Sequence, residues 1–185
     1  MRLKSIFVVL FLLSCLTISA QKISVSTNVL DYMALGTLNV ETSVALSRHW
    51  SVVAAVKYNP FTFRKSDVER QFQLRQQSYS LGARFWPWHI WSGWWLAAGF
   101  RYQEYNSGGL FSRDTREGDR LGAGIYSGYT HMLSPHFNIE FGAGVWGGLD
   151  IYRIYDCPVC GVTSDAGRRY FVLPGELKVA VAYVF

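Results

Sequence analysis

The chain has no long hydrophobic run after its first 20 residues, although 50% of its residues are hydrophobic and 16% are aromatic. A helix that crosses a membrane needs roughly 20 consecutive apolar residues, so a helical membrane protein is excluded for this part of the chain. The same part also lacks a convincing helical pattern. In a chain of 185 residues, we therefore expect this part to form one domain built from many short, half-apolar strands.

Charge of one sign and cysteine are also scarce. The formal net charge of +5 is small and spread along the sequence, so it gives no support for a nucleic-acid partner. The loop that holds Cys157 and Cys160 adds only Asp156 and Asp165 as further ligands, with no second cysteine pair and no histidine, which does not favour a four-ligand structural zinc site. We expect neither a metal nor another cofactor.

The first 20 residues differ from the rest. Arg2 and Lys4 give a basic start, an apolar segment follows, and Ala20 ends a stretch of small residues. This order is typical of a secretory signal peptide, so we predict export, cleavage after Ala20 and a mature domain of residues 21–185. A lipoprotein processing site ending at Cys15 is an alternative, and it leaves the lipidation of Cys15 open.

Apolar and polar residues alternate along eight segments of the mature chain. A period of two is the pattern of a strand whose two faces meet different environments. The connections after the second, fourth and sixth segments are short, whereas those after the third, fifth and seventh are long and polar. These features are typical of an antiparallel up-and-down transmembrane β-barrel with short periplasmic turns and longer extracellular loops. The expected strands are about 22–31, 37–46, 52–59, 78–85, 94–103, 120–130, 137–150 and 170–185.

One face of these strands carries small and charged residues, and the other is almost continuously apolar. We predict that the charged face lies inside, because basic and acidic side chains can pair across an enclosed interior that admits water. The apolar face then needs lipid, and closure leaves no open sheet edge in the hydrocarbon. Eight strands enclose a space that side chains can fill, so a plugged polar interior is favoured over a channel. The charged residues assigned to the interior are Glu41, Lys57, Arg84, Arg101, Arg120, Glu140, Asp150, Glu176 and Lys178.

The C-terminal segment has the clearest alternation. From Leu177 to Phe185 every second residue is apolar, and aromatic residues stand at Tyr183 and Phe185. This ending resembles the signal by which the bacterial barrel-assembly machinery receives outer-membrane proteins. Over residues 21–185 the chain resembles the small eight-stranded outer-membrane barrels of the OmpA/OmpX type. It is also similar to a family of uncharacterised secreted barrel proteins common in Bacteroidetes. The resemblance implies an all-β barrel in contact with outer-membrane lipid and lipopolysaccharide, and it implies no activity.

Two motifs fall in the last long loop. Cys157 and Cys160 are best interpreted as a loop disulfide in an exported protein, with a redox pair or half of a zinc site as alternatives. Arg168 and Arg169 are candidates for contacts with lipopolysaccharide phosphates, although a plain solvated loop explains them equally well.

Aromatic and titratable residues cluster near the short turns. Ser127 and His131 are the nearest approach to a nucleophile and its base, but four residues along a strand separate them by about 13 Å, beyond hydrogen-bond reach. Six tryptophans are assigned to an aromatic girdle at the membrane boundary. They are Trp50, Trp86, Trp88, Trp91, Trp94 and Trp95.

These observations predict a non-catalytic outer-membrane barrel protein of structural or surface-interaction type. The alternatives are a small lipid A-modifying enzyme and a narrow pore. A soluble periplasmic barrel that binds an apolar ligand would need its charged face in solvent.

Overall fold

The computed structural model describes residues 22–63, 71–109, 114–156 and 162–185, and these residues are almost entirely β-sheet. One short helix, α1 (Val29–Met33), follows the first strand. The strands are β1 (Ile23–Asn28), β2 (Leu38–Ala45), β3 (Trp50–Asn59), β4 (Thr62–Phe63), β5 (Phe72–Phe85), β6 (Gly93–Gly108), β7 (Thr115–Met132), β8 (Phe137–Tyr155) and β9 (Thr163–Val184).

The strands form a single antiparallel sheet that closes into a ring. Consecutive strands pair from β1 to β3 and from β5 to β9. Two further pairs, β3 with β5 and β1 with β9, complete the ring. The strand β4 has only two residues and lies beside β5, so eight long strands make up the ring itself. The predicted all-β, antiparallel, up-and-down arrangement is confirmed.

The strands are longer than the alternation predicted. Parts of all three expected long loops are strand: β5 already begins at Phe72, β6 continues to Gly108, and β9 already begins at Thr163. Ladder hydrogen bonds join backbone groups and do not require apolar side chains. Polar residues therefore extend these strands where the apolar alternation has stopped.

The first strand is shorter than predicted. It ends at Asn28 rather than near Asp31, because Asn28 caps the helix α1 and its side-chain oxygen accepts a hydrogen bond from the Leu30 amide at 3.3 Å. Asparagine is among the preferred residues at this position. In the described residues no helix is long and apolar enough to cross a membrane.

A bulge changes the orientation of β9 part of the way along its length. The pairing of β8 with β9 shifts register between Gly144 and Val145, so Gly175 has no direct partner. An extra residue in one strand moves the following side chains to the opposite face. Below the bulge Lys178 lies inside the ring, and above it the inward residue is Arg169.

Candidate functional site in the charged interior

The interior of the ring contains all nine charged residues that the sequence assigned to it. They form ion pairs with one another and with two residues that the alternation did not identify, Asp31 and Arg169. The pairs are arranged in three layers along the ring, here called the lower, middle and upper layers. The lower layer lies nearest the short connections.

The lower layer consists of Glu41, Arg84, Glu140 and Lys178. The Lys178 Nζ atom lies 2.7 Å from both Glu41 Oε1 and Glu140 Oε2. Arg84 joins the same carboxylates, with Nη2 2.7 Å from Glu41 and Nη1 3.3 Å from Glu140. Two positive and two negative charges balance, so a layer that is almost wholly buried carries no net charge.

The middle layer is also balanced. Glu176 accepts Lys57 at 3.1 Å through Oε1 and Arg101 at 3.1 Å through Oε2. Lys57 also lies 2.7 Å from Asp31, a residue of the helix α1. Arg101 Nη1 donates a further hydrogen bond of 2.8 Å to the carbonyl of Gly175, at the bulge.

The upper layer is centred on Asp150, whose side chain is fully buried. Arg169 donates two hydrogen bonds of 2.9 Å to Asp150 Oδ2. Arg120 Nε lies 3.4 Å from Oδ1 of the same carboxylate, and the Tyr105 hydroxyl donates to Oδ1 at 2.9 Å. One carboxylate therefore faces two guanidinium groups, so this layer has a net positive charge.

Aromatic rings occupy the space between the charges. The Arg84 guanidinium carbon lies 4.3 Å from the ring centre of Trp95, and that of Arg120 lies 3.8 Å from the ring centre of Tyr105. Arg101 lies 5.2 Å from the ring centre of Trp146. A cation over an aromatic face is attracted to it, most strongly where water is excluded. The arginines are thus held by carboxylates at their edges and by rings on their faces.

Glycines make room for these rings. Gly128 and Gly142 are direct cross-strand partners, and the Trp95 ring packs over both. A Cβ atom added at Gly142 would lie 2.8 Å from Trp95 Cη2, which is too close for a side chain without displacing the ring. The glycine recurrence in β7 and β8 is therefore a packing feature of the interior.

Three tryptophans close the short-turn end of the interior. Trp86, Trp91 and Trp95 are 0–3% exposed and form the hydrophobic core cluster. The Trp86 and Trp91 rings meet edge to face at 5.7 Å, and Trp86 Nε1 donates to Ser51 Oγ at 3.2 Å. Trp91 has a positive φ of 66°, because the turn between β5 and β6 folds back into the ring.

The girdle prediction is therefore wrong for half of the six tryptophans. Trp50, Trp88 and Trp94 are exposed, as a girdle requires, and the other three point inward. The sequence places all six near short turns but does not show that the turn after Phe85 folds back.

Little open space remains between the lower and middle layers. A cavity of about 60 Å³ lies beside Arg84, Arg101 and Glu176, and a few water molecules would fill it. No group of three or more His, Cys, Asp or Glu side chains in the described residues could hold a metal ion. The arrangement fixes the strands to one another.

The remaining predicted residues lie at the two ends of the ring. Tyr183 packs edge to face on Phe185 at 4.8 Å and on Phe137 at 5.1 Å, forming an exposed aromatic cluster at the short-turn end. At the other end Arg168 is exposed, while Arg169 is held by Asp150. Assembly signalling and lipopolysaccharide contacts stay predictions. Residues 1–20, with Cys15 and the predicted signal peptide, and the pair Cys157 and Cys160 lie outside the described residues.

Over residues 6–185 the chain matches the model of a family described as "Protein of unknown function (DUF3575)". No curated protein matches the chain.

Proposed function

The chain belongs to this family of unknown function, and from the geometry of its strands we propose that it is an integral outer-membrane β-barrel protein. In this proposal a signal peptide cleaved after Ala20 directs export, and the barrel-assembly machinery recognises Tyr183 and Phe185. The eight long strands span the membrane in contact with lipid and lipopolysaccharide. The protein is non-catalytic and has a structural or surface-interaction role.

The observation that carries the proposal is that burial is reversed relative to a soluble protein. Among the described residues, 17 buried residues are polar or charged and only 8 are hydrophobic. Large apolar side chains such as Phe100, Ile125 and Leu177 are 66–73% exposed. Scattered apolar residues are normal on a soluble surface, but an extended apolar surface marks contact with another apolar phase. Lipid is the phase that can surround a closed ring.

The height of the apolar surface also agrees with a membrane. On β6 the outward side chains from Trp94 through Phe100 to Tyr102 are all apolar or aromatic. Eight residue steps at about 3.4 Å give ~27 Å along the strand. With the usual tilt of 35–45° this corresponds to roughly 20 Å along the membrane normal, close to the apolar band of about 25 Å in outer-membrane barrels. We call this surface the apolar belt.

A charged substitution in the apolar belt tests the proposal. Phe100→Arg should lower the free energy of unfolding in lipid vesicles by about 2–4 kcal/mol, because the arginine must enter hydrocarbon. At an exposed site of a soluble protein, the same substitution usually changes the free energy of unfolding by no more than about 0.5 kcal/mol. The matched control is Val162→Arg, at a residue that is also exposed but lies beyond the belt. Equal effects of the two substitutions, or the absence of heat-modifiable gel mobility in the parent chain, would contradict membrane insertion.

The filled interior bears on the pore alternative. Among the described residues, the tryptophans at one end and the ion-paired layers above them occupy space that a pore would need. We therefore expect no ohmic conductance when the purified protein is added to planar lipid bilayers. Stable single-channel steps would favour a pore instead.

A further inference from the structure

The outward face changes from apolar to polar at the end of the ring opposite the short connections. The last row of the apolar belt runs across four strands through Val56, Tyr79, Tyr102 and Leu121, which are direct cross-strand partners. Two rows with mostly polar or charged side chains lie next to it. They consist of Tyr58, Gln77, Glu104, Asp119 and Ile151, followed by Arg75, Asn106, Glu117 and Arg153.

These two rows line a concave site, here called the outer groove. Its volume is about 450 Å³, and residues from β3, β5, β6, β7 and β8 contribute to its wall. Clefts of about 300–1,000 Å³ are typical of small-molecule sites. The interior cavity is far smaller, at about 60 Å³. The outer groove therefore has room for a small ligand and, unlike the apolar clefts of about 400 and 760 Å³ elsewhere on the ring, it is lined by several charged side chains.

Neighbouring hydroxyl and amide groups hold the carboxylates of the groove in place. The Tyr102 hydroxyl lies 2.9 Å from Glu104 Oε1 and 3.0 Å from Asp119 Oδ1. Glu117 accepts the Tyr155 hydroxyl at 2.6 Å and Asn106 Nδ2 at 3.2 Å. Carboxylates fixed in this way are preorganised acceptors, because less side-chain freedom is lost when a ligand binds.

The charge of the groove selects the ligand. Three carboxylates outnumber the two guanidinium groups of Arg75 and Arg153, so a phosphate would meet net repulsion. Carboxylates accept hydrogen bonds, guanidinium groups donate them, and side-chain amides do both. Tyr58 adds a half-exposed ring at one end of the groove, and an aromatic ring offers a flat apolar surface with a polar edge. This combination suits a ligand that has many hydroxyl groups, an apolar face and no charge.

We propose that the outer groove binds the neutral sugar rings of a carbohydrate, with Glu104 and Asp119 accepting hydroxyl groups and Tyr58 packing against a ring face. The placement of the groove just outside the lipid rests on the proposed function. Two sources supply such sugars at that position: the saccharide part of an outer-leaflet glycolipid, and a free oligosaccharide outside the cell.

Binding measurements on the mature chain in detergent micelles test this proposal. The probes are a printed array of neutral, acidic and phosphorylated oligosaccharides, and the core oligosaccharide released from lipopolysaccharide of the producing organism. We expect neutral members of the array to bind, with or without the released core, which is itself acidic. Binding of the released core points to the glycolipid as the source, and binding of array members alone points to a free glycan. Binding confined to acidic or phosphorylated probes, or no binding at millimolar concentration, would overturn the proposal.

Variants locate the binding in the groove. Glu104→Gln combined with Asp119→Asn removes both acceptor charges at nearly constant shape and should weaken the binding at least 10-fold. The matched control is Asp165→Asn, because Asp165 also accepts a tyrosine hydroxyl, from Tyr152 at 3.1 Å, on the exposed surface outside the groove. It should change the binding less than twofold. Equal loss in both, or none in the double variant, would refute the assignment.

A fold check separates the two proposals. Heat-modifiable mobility and vesicle insertion report on the membrane proposal, and sugar binding reports on the groove. Loss of binding with intact mobility concerns the groove alone. If the double variant does not insert, Tyr58→Ala provides an independent test, because it removes the ring at the end of the groove and should weaken binding severalfold without touching the carboxylates.

Discussion

The lower layer makes the strongest energetic prediction, and Glu140 is its most informative residue. Its side chain is 2% exposed and accepts both Arg84 and Lys178. Glu140→Gln keeps the size of the side chain and removes one negative charge. Arg84 and Lys178 would then face Glu41 alone, which leaves one uncompensated positive charge inside the ring.

The expected loss of stability follows from that unpaired charge. Removing one partner of a buried ion pair typically costs about 3–5 kcal/mol, and here the removed partner serves two cations. By contrast, Glu104→Gln makes the same chemical change at an exposed carboxylate and should cost less than about 1 kcal/mol. The difference between the two variants isolates burial from the chemistry of the substitution.

Reversible urea unfolding in lipid vesicles measures these free energies. Tryptophan fluorescence follows the unfolding transition, and Trp95, which stacks on Arg84, contributes a signal from the lower layer. The midpoint and slope of the transition give the free energy of unfolding by linear extrapolation. Adding Lys178→Met to Glu140→Gln restores charge balance around Arg84 and Glu41. We therefore expect the double variant to lose at least about 1 kcal/mol less than the sum of the single losses.

Two results would refute this reasoning. One is a Glu140→Gln variant within about 1 kcal/mol of the parent chain, which would mean that water reaches the layer and screens it. The other is strict additivity of the single variants, which would mean that the charges do not act on one another.

Three further predictions concern other parts of the ring. Asp150→Asn leaves two guanidinium groups without their shared carboxylate and should lower the free energy of unfolding by about 3–5 kcal/mol in the same assay. A loss below about 1 kcal/mol would contradict the ion pairing described for the upper layer. Gly142→Val forces the Trp95 ring from its place, and we expect a loss of about 1–3 kcal/mol and a weaker near-ultraviolet circular dichroism band, so an unchanged band would argue against the packing. Phe185→Ala should lower the amount of heat-modifiable protein in cells, while the free energy of unfolding of the refolded protein changes by no more than about 1 kcal/mol. Normal assembly of this variant would contradict the predicted role of Phe185 as an assembly signal.

The period-two alternation identified the faces of the strands because it depends only on neighbouring residues. Glu140 and Phe141 are adjacent, and the alternation placed one inside and the other outside before any partner strand was known. It did not give the pairing of Glu140 with Lys178, since that depends on the register of two strands. Register follows from turns and packing as well as from pattern.

The residues that the sequence missed or assigned to another place share a different cause. Asp31 belongs to a short helix, Arg169 lies beyond a bulge, and Trp91 lies in a turn that folds inward. Each of these features breaks the period of two within a few residues. The extent of β9 was also missed, because its polar half pairs through backbone groups that leave no alternation to detect.

The last strand brings the missing counter-ions to the lower and middle layers and adds a second cation to the upper one. From β9, Lys178 joins carboxylates on β2 and β8, Glu176 joins cations on β3 and β6, and Arg169 joins Asp150. A nascent chain that has not yet delivered these 22 residues leaves one unpaired charge in each of the lower and middle layers, which hydrocarbon would reject. For a protein that enters a bilayer, as proposed here, we therefore expect the sheet to insert and to close as a single event. An open intermediate would stay on the aqueous side until its final strand arrives.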